Sequence, residues 1–233
     1  MRTLCLTLLV LLAAPTCRAD EQFPLGKVVD PVVSLQDPAQ SYALYLPARY
    51  ATGRRWPVLY GFDPGGRGAI PVALFREAAE KYGWIVVASN NSRNGPWKDI
   101  YEAACAVWDD THARLRIDDS RVYAAGFSGG ARVASGLARI LNMRPAGVIG
   151  CGGGLPEWLA PEDMTGIPWF GTVGRNDFNF REMKELERDL RRLGSPCFLQ
   201  VFPGKHVWPP GWIAMEAVAW MEELCEAPVH GTR

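Results

Sequence analysis

The sequence predicts an α/β fold: one mostly parallel sheet of about eight strands, with helices on both faces. Three observations carry this expectation. From Trp56 onward, short apolar runs alternate with longer segments of helical character. The inner runs, Trp84-Ile85-Val86-Val87-Ala88 and Val122-Tyr123-Ala124-Ala125, are continuously apolar, as strands buried on both faces are. The chain has 233 residues, 48% hydrophobic and 21% charged, which suits a single globular core.

Taken in order, residues 1–19 read as a secretory signal. Arg2 supplies the positive start, residues 4–14 the apolar core, and Cys17-Arg18-Ala19 a small-residue cleavage context. The apolar run is too short to span a bilayer. Cleavage after Ala14 and lipidation of Cys17 stay open, although Pro15 and Thr16 suit lipidation poorly. The folded domain then occupies residues 20–233, and the expected location is periplasmic or extracellular. Strands are expected at 27–35 and 42–46. With no helix between them, they should form an antiparallel edge.

The alternating part follows: strand 56–62, helix 72–82, strand 84–89, helix 98–115, strand 121–127, helix 129–141 and strand 146–150. The Gly- and Pro-rich stretch "CGGGLPEWLAPEDMTG" then leads to strand 167–173. It is long enough for a parallel crossover but too short for an inserted cap. Helix 181–193, strand 198–202 and helix 212–225 complete the chain. Sheets of this kind bind ligands beyond the carboxyl ends of their strands, so the residues just after each strand matter most.

Charge excludes some functions. The 25 basic and 25 acidic residues give zero formal net charge, with no electrostatic footprint for nucleic acid or an anionic membrane. No Cys/His cluster has metal-ligand spacing, and neither a metal nor a cofactor is expected. The stretch "GGRG" lacks the residues that would make it a phosphate cradle.

The chemistry concentrates in Gly126-Phe127-Ser128-Gly129-Gly130, at a strand-to-helix junction. There the pattern G-x-S-x-G describes a tight turn that lifts the serine oxygen off the sheet. On this motif and the order of elements, the sequence resembles the α/β-hydrolase family. The nearer likeness is to small secreted esterases of the polyhydroxybutyrate-depolymerase, feruloyl-esterase and dienelactone-hydrolase-like kind. The resemblance implies a Ser, an acid and a His in that chain order.

Of three histidines, His112 precedes Ser128 on a helix with Asp109, Asp110 and Arg114, read as a solvated face, and His230 lies in the C-terminal tail. His206, after the last strand in "VFPGKHVWPPGW", is the expected general base. Asp177, after the preceding strand, is the expected acid, with an N-cap of helix 181–193 as its rival role. Two backbone N–H groups should receive the oxyanion: that of Gly129, and one from "GFDPGGRG". Relatives often begin this loop with His-Gly, a departure here. Pro64 has no N–H, so Gly65 is expected, with Gly66 second. Asn90, Asn91, Trp97 and Trp208 are candidate substrate-binding residues, and Trp212 flanks the base.

Four cysteines lie beyond the signal. Cys197 opens the last strand and Cys225 ends the helix that returns along it, so a disulfide between them is expected. The loop of about 28 residues would stabilise the fold by roughly 3 kcal/mol.

A serine at the elbow argues against dehalogenase or epoxide-hydrolase chemistry, in which a carboxylate attacks. The expected function is carboxylic ester hydrolysis through an acyl-enzyme. Peptidase or thioesterase activity on the same triad, or a non-catalytic binding protein, are the alternatives. The expected partner is a small or polymeric ester.

Overall fold

The computed structural model describes residues 23–226; the expected signal segment and His230 lie outside them. The elements are β1 (Val28–Val33), β2 (Ser41–Tyr45), β3 (Trp56–Phe62), α1 (Ala69–Tyr82), β4 (Ile85–Ser89), α2 (Trp97–Arg114) and β5 (Ile117–Phe127). They continue with α3 (Gly129–Ile140), β6 (Gly147–Cys151), β7 (Trp169–Gly174), α4 (Phe180–Arg192), β8 (Cys197–Phe202) and α5 (Gly211–Glu226).

One sheet takes the order β1-β2-β4-β3-β5-β6-β7-β8. β1 and β2 form the antiparallel edge, with β2 antiparallel to β4, and every later pairing is parallel. The continuously apolar runs are the inner strands, and all seven residues of β3 are buried. Two apolar layers flank the sheet. α2, α3 and α4 cover one face through residues such as Val107, Leu137 and Leu190. α1 and α5 cover the other through Phe75, Ala217 and Met221. α4 buries only Met183, Leu186 and Leu190, the three- and four-residue spacing of a single helical stripe.

Three expectations differ from the structure. β5 begins at Ile117, before the expected position 121. Asp118, Asp119 and Ser120 read as a loop by polarity, and they lie half-buried or exposed in an irregular stretch, where the ladder with β3 skips from the Trp56–Ile117 pair to the Val58–Val122 pair. Asp110 is not on a solvated face. It is 1% exposed and accepts from Leu35 N–H, Tyr42 hydroxyl and Arg114, tying α2 to the β1–β2 edge.

Cys197 and Cys225 are not bonded; both are free thiols. The cause is the alternation of side chains along β8. Cys197 turns toward α4, where its thiol donates to the Glu187 carbonyl at 3.6 Å. Its neighbour Phe198 turns to the opposite face, against Phe170, and Phe170 also meets Trp220 of α5. α5 then ends over the middle of the sheet, where Glu222 accepts from both Trp84 and Arg121.

The crossover between β6 and β7 contains only a single 3-10 turn, Pro161–Met164. No helix among the described residues is long and apolar enough to cross a membrane.

Candidate active site

The chain runs from β3 to β4 on one side, then to β5 on the other. That reversal opens a crevice at the carboxyl ends of β3 and β5, and Ser128 stands at it. Its backbone is held at φ 54, ψ −119, a region that non-glycine residues rarely occupy. The surrounding glycines make the turn sterically feasible. A Cβ on Gly126 would lie 2.0 Å from the Gly130 carbonyl oxygen, and one on Gly130 would lie 2.1 Å from that of Phe62.

Backbone rather than a movable side chain blocks position 130. Gly130→Ala is therefore expected to lower the stability by about 3 kcal/mol or more, a fall in melting temperature of roughly 6 °C or more. A melting temperature within a degree of wild type would show that α3 and β3 can separate freely.

Three loops bring polar groups to the crevice. Ser128 Oγ lies 2.9 Å from His206 Nε2. His206 Nδ1 lies 2.9 Å from each carboxylate oxygen of Asp177. The Asp177 carboxylate is fully buried, while the His206 side chain is 20% exposed. Asp177 Oδ1 also accepts the Asn179 N–H at 2.8 Å, and Asn179 Nδ2 donates to the Gly152 carbonyl. The N-cap of α4 is Asn179 and not Asp177. The imidazole lies between two phenyl rings, Phe127 at 4.6 Å and Phe178 at 4.1 Å between centroids. Phe178 is otherwise 76% exposed. Nothing in the sequence pattern singled out either ring, since contact with His206 arises only when β5 and the loop after β7 meet.

The N–H groups near the serine sort into engaged and free. The Ser128 N–H donates to the Cys151 carbonyl. Gly129 is the first residue of α3, so its N–H has no partner within the helix and sits at the positive end of the helix dipole. Gly65 and Gly66 do not offer the second N–H. The Gly65 N–H donates to Asp63 Oδ1 at 2.9 Å and the Gly66 N–H to the Asp63 carbonyl at 3.0 Å. The N–H left over is that of Asp63 itself, which makes no backbone hydrogen bond among the described residues. β3 pairs Phe62 with Gly126, so residue 63 follows beside Phe127, next to the serine.

Asp63 is 0% exposed and its side chain organises this loop. It accepts from Gly65 N–H, from Arg67 at 2.8 and 3.2 Å, and from Trp208 Nε1 at 3.0 Å. Burial pushes its carboxyl up. The hydrogen bonds from Arg67, Trp208 and Gly65 outweigh that and hold it below the usual range. The group therefore stays ionised, and the tether between the β3 loop and the His206 loop persists at neutral pH. Its contribution is present above the ordinary carboxylate range and is lost as pH falls through the lowered value.

Of the candidate substrate contacts, Trp97 lines the cleft. Trp208 stands behind Phe127, 5.5 Å between centroids, and is bound to Asp63. Asn90 and Asn91 do not line the cleft. Asn90 bonds Gly68 N–H, Asp30 and Ser41, and Asn91 bonds Ser41 N–H and the Ala39 carbonyl, so both fasten the β1–β2 edge. The cleft itself measures about 370 Å³ and is walled by Asn94, Trp97, Ser128, Gly129, Arg132 and Phe178. Arg132 is held by Glu182 and the Leu155 carbonyl. A larger hollow of about 550 Å³ on the surface of α4 is lined only by charged side chains, with no Ser, Cys or His among them. Among the described residues no cluster of His, Cys, Asp and Glu has the geometry to hold a metal.

Neither a family model nor a curated protein sequence matches the chain. Solved structures do. An S-formylglutathione hydrolase from Staphylococcus aureus superposes with a TM-score of 0.67 at 14% identity, covering 85% of this chain and 98% of that one. A ferulic acid esterase gives 0.65 at 16% identity over the same shares, 85% and 98%. A thermophilic esterase from the planctomycete Thermogutta terrifontis, solved with butyrate bound, gives 0.63 at 16% identity, covering 87% and 96%. The chain thus has the single-domain α/β-hydrolase fold, with an eight-stranded sheet and five α-helices among the described residues.

Proposed function

We propose that this protein hydrolyses carboxylic esters through an acyl-enzyme on Ser128. The observation that carries the reading is the unbroken chain from Ser128 Oγ to His206 Nε2 and from His206 Nδ1 to Asp177. It ends beside two unpaired backbone N–H groups, those of Gly129 and Asp63. Likeness of fold to several esterases supports the same reading.

In this mechanism Ser128 Oγ attacks the ester carbonyl carbon while His206 Nε2 takes its proton. The carbonyl π pair moves onto oxygen, where the Gly129 and Asp63 N–H groups receive the negative charge. Collapse of the tetrahedral species breaks the bond to the alcohol oxygen, which leaves with the proton from His206. Water, deprotonated by His206, then attacks the acyl-enzyme and releases the acid. Asp177 holds the proton on Nδ1 and stabilises the imidazolium without being protonated.

The absence of an inserted cap and a cleft walled by Trp97 and Phe178 suit a small acyl or aromatic ester. The apolar segment at residues 4–14 and its flanks support action outside the cytoplasm, by a mature domain starting after residue 19.

A fluorophosphonate probe tests the proposal, because it reacts only with an activated serine. Stoichiometric labelling that maps to Ser128, with loss of p-nitrophenyl acetate hydrolysis, is the expected result. Folded protein that leaves Ser128 unlabelled would defeat the hydrolase reading.

A further inference from the structure

Asn94 sits in the loop between β4 and α2, and two features fix its position. Its own N–H donates to the Pro64 carbonyl at 2.8 Å, and Arg93 bridges Gly65 in an isolated antiparallel pair. The loop is thus laced to the β3 loop, whose Asp63 N–H makes no backbone hydrogen bond among the described residues and follows β3 beside Phe127. Earlier in the same loop, the Asn90 and Asn91 side chains are fully engaged at the β1–β2 edge.

The Asn94 side chain is different. It lines the cleft with Ser128 and Gly129, and no hydrogen bond joins its amide to any other described residue. The amide packs directly on the α-carbon of Gly129. A Cβ there would lie 1.8 Å from Asn94 Oδ1, 2.8 Å from Cγ and 3.2 Å from Nδ2. This explains why the residue after the nucleophile is glycine, a position where G-x-S-x-G sets no requirement. The molecule has given up a side chain at 129 to seat a carboxamide beside the N–H that faces the developing charge. The loop that should complete the hole is short of donors, since Pro64 has none and Gly65 and Gly66 have spent theirs.

We propose that Asn94 Nδ2 is a third donor to the oxyanion, alongside the Gly129 and Asp63 N–H groups. The assignment rests on the ester-hydrolase reading of Ser128. The amide donates a hydrogen bond and keeps its hydrogens, so the proton balance of the reaction is unchanged. Because the oxyanion carries full charge only in the tetrahedral species, the bond strengthens there, and the effect falls on kcat rather than on KM.

The test compares wild type, Asn94→Ala and Asn94→Asp on two acetate esters with different alcohols, p-nitrophenyl and ethyl. Asn94→Ala should lower kcat about 10- to 100-fold on both esters, less than the loss of a fully buried donor, with KM within about twofold. Deacylation should slow by a similar factor, because the oxyanion forms again after the alcohol has gone. Asn94→Asp keeps the shape but puts a carboxylate against the oxyanion, and should lose at least as much. Unchanged kcat in both variants would overturn the assignment. A loss confined to KM, or to one alcohol with normal deacylation, would overturn it too and place Asn94 on the leaving-group side. Fluorophosphonate labelling of wild-type Ser128 in the same preparations separates the two ideas. Labelling with unaffected Asn94 variants rejects the third donor alone, whereas unlabelled wild-type Ser128 rejects the hydrolase reading itself.

Discussion

Ser128→Ala is expected to reduce kcat/KM for p-nitrophenyl acetate by a factor on the order of 10⁴ to 10⁶, leaving a soluble, folded protein. Only the oxygen that lies 2.9 Å from His206 is removed, and no other hydroxyl shares that position. The residual rate would come from the donors around Gly129. A companion substitution makes the expectation sharper. Ser128 holds φ 54, and such backbone strain costs on the order of 1–3 kcal/mol when a Cβ is present. Alanine keeps the Cβ and the strain, whereas glycine releases part of it. Ser128→Gly should therefore be as inactive as Ser128→Ala but more stable, by about 1 kcal/mol and roughly 2–4 °C in melting temperature. Equal melting temperatures would mean that the turn is not strained. Turnover within tenfold of wild type in either variant would place the nucleophile elsewhere.

Asp177→Asn is the second large effect, a fall in kcat of about 10⁴ with little change in KM. The asparagine oxygen can still accept the Asn179 N–H, so the loop after β7 should stay in place. What fails is the tautomer. An amide NH₂ facing His206 Nδ1 favours a proton on Nε2, the nitrogen that takes the Ser128 proton in the proposed mechanism. Steady-state kinetics beside a thermal melt separates this from unfolding. A variant retaining a tenth or more of wild-type kcat would show that Asp177 does not set the imidazole. The buried carboxylate would then be a structural brace for the 177–180 turn.

How much of this was legible beforehand depended on the range of the interaction. Each strand and helix is announced by a local pattern. The apolar run at 84–88, the alternation from Trp56 onward and the glycines around Ser128 all specify local conformation within a few residues. Asp177 and His206 could be named because the family resemblance implies an acid and then a His after the Ser, and a parallel sheet sends the residues after its strands to one edge, close to Ser128. Gly65 was misread for the same local reason. A glycine-rich loop advertises free N–H groups, but Asp63 folds back on it and takes one with its carboxylate and one with its carbonyl. Asn90 and Asn91 also looked available, and their partners are Gly68 and residues of the 30–41 stretch, far away in sequence.

The sequence by itself determined the order of elements, the strained turn that presents Ser128, and the loops that can reach it. These follow from apolar periodicity and from steric limits at glycine, which act over a few residues. Tertiary structure alone decided which N–H groups near the serine stay unspent, that Phe127 and Phe178 enclose His206, and that Asn94 rests on Gly129. It also decided that Cys197 and Cys225 never meet, because successive side chains of β8 face opposite layers and α5 lies on the layer away from Cys197. Hydrogen-bond partners and faces are settled by packing between distant segments, and no local pattern encodes which distant group arrives first.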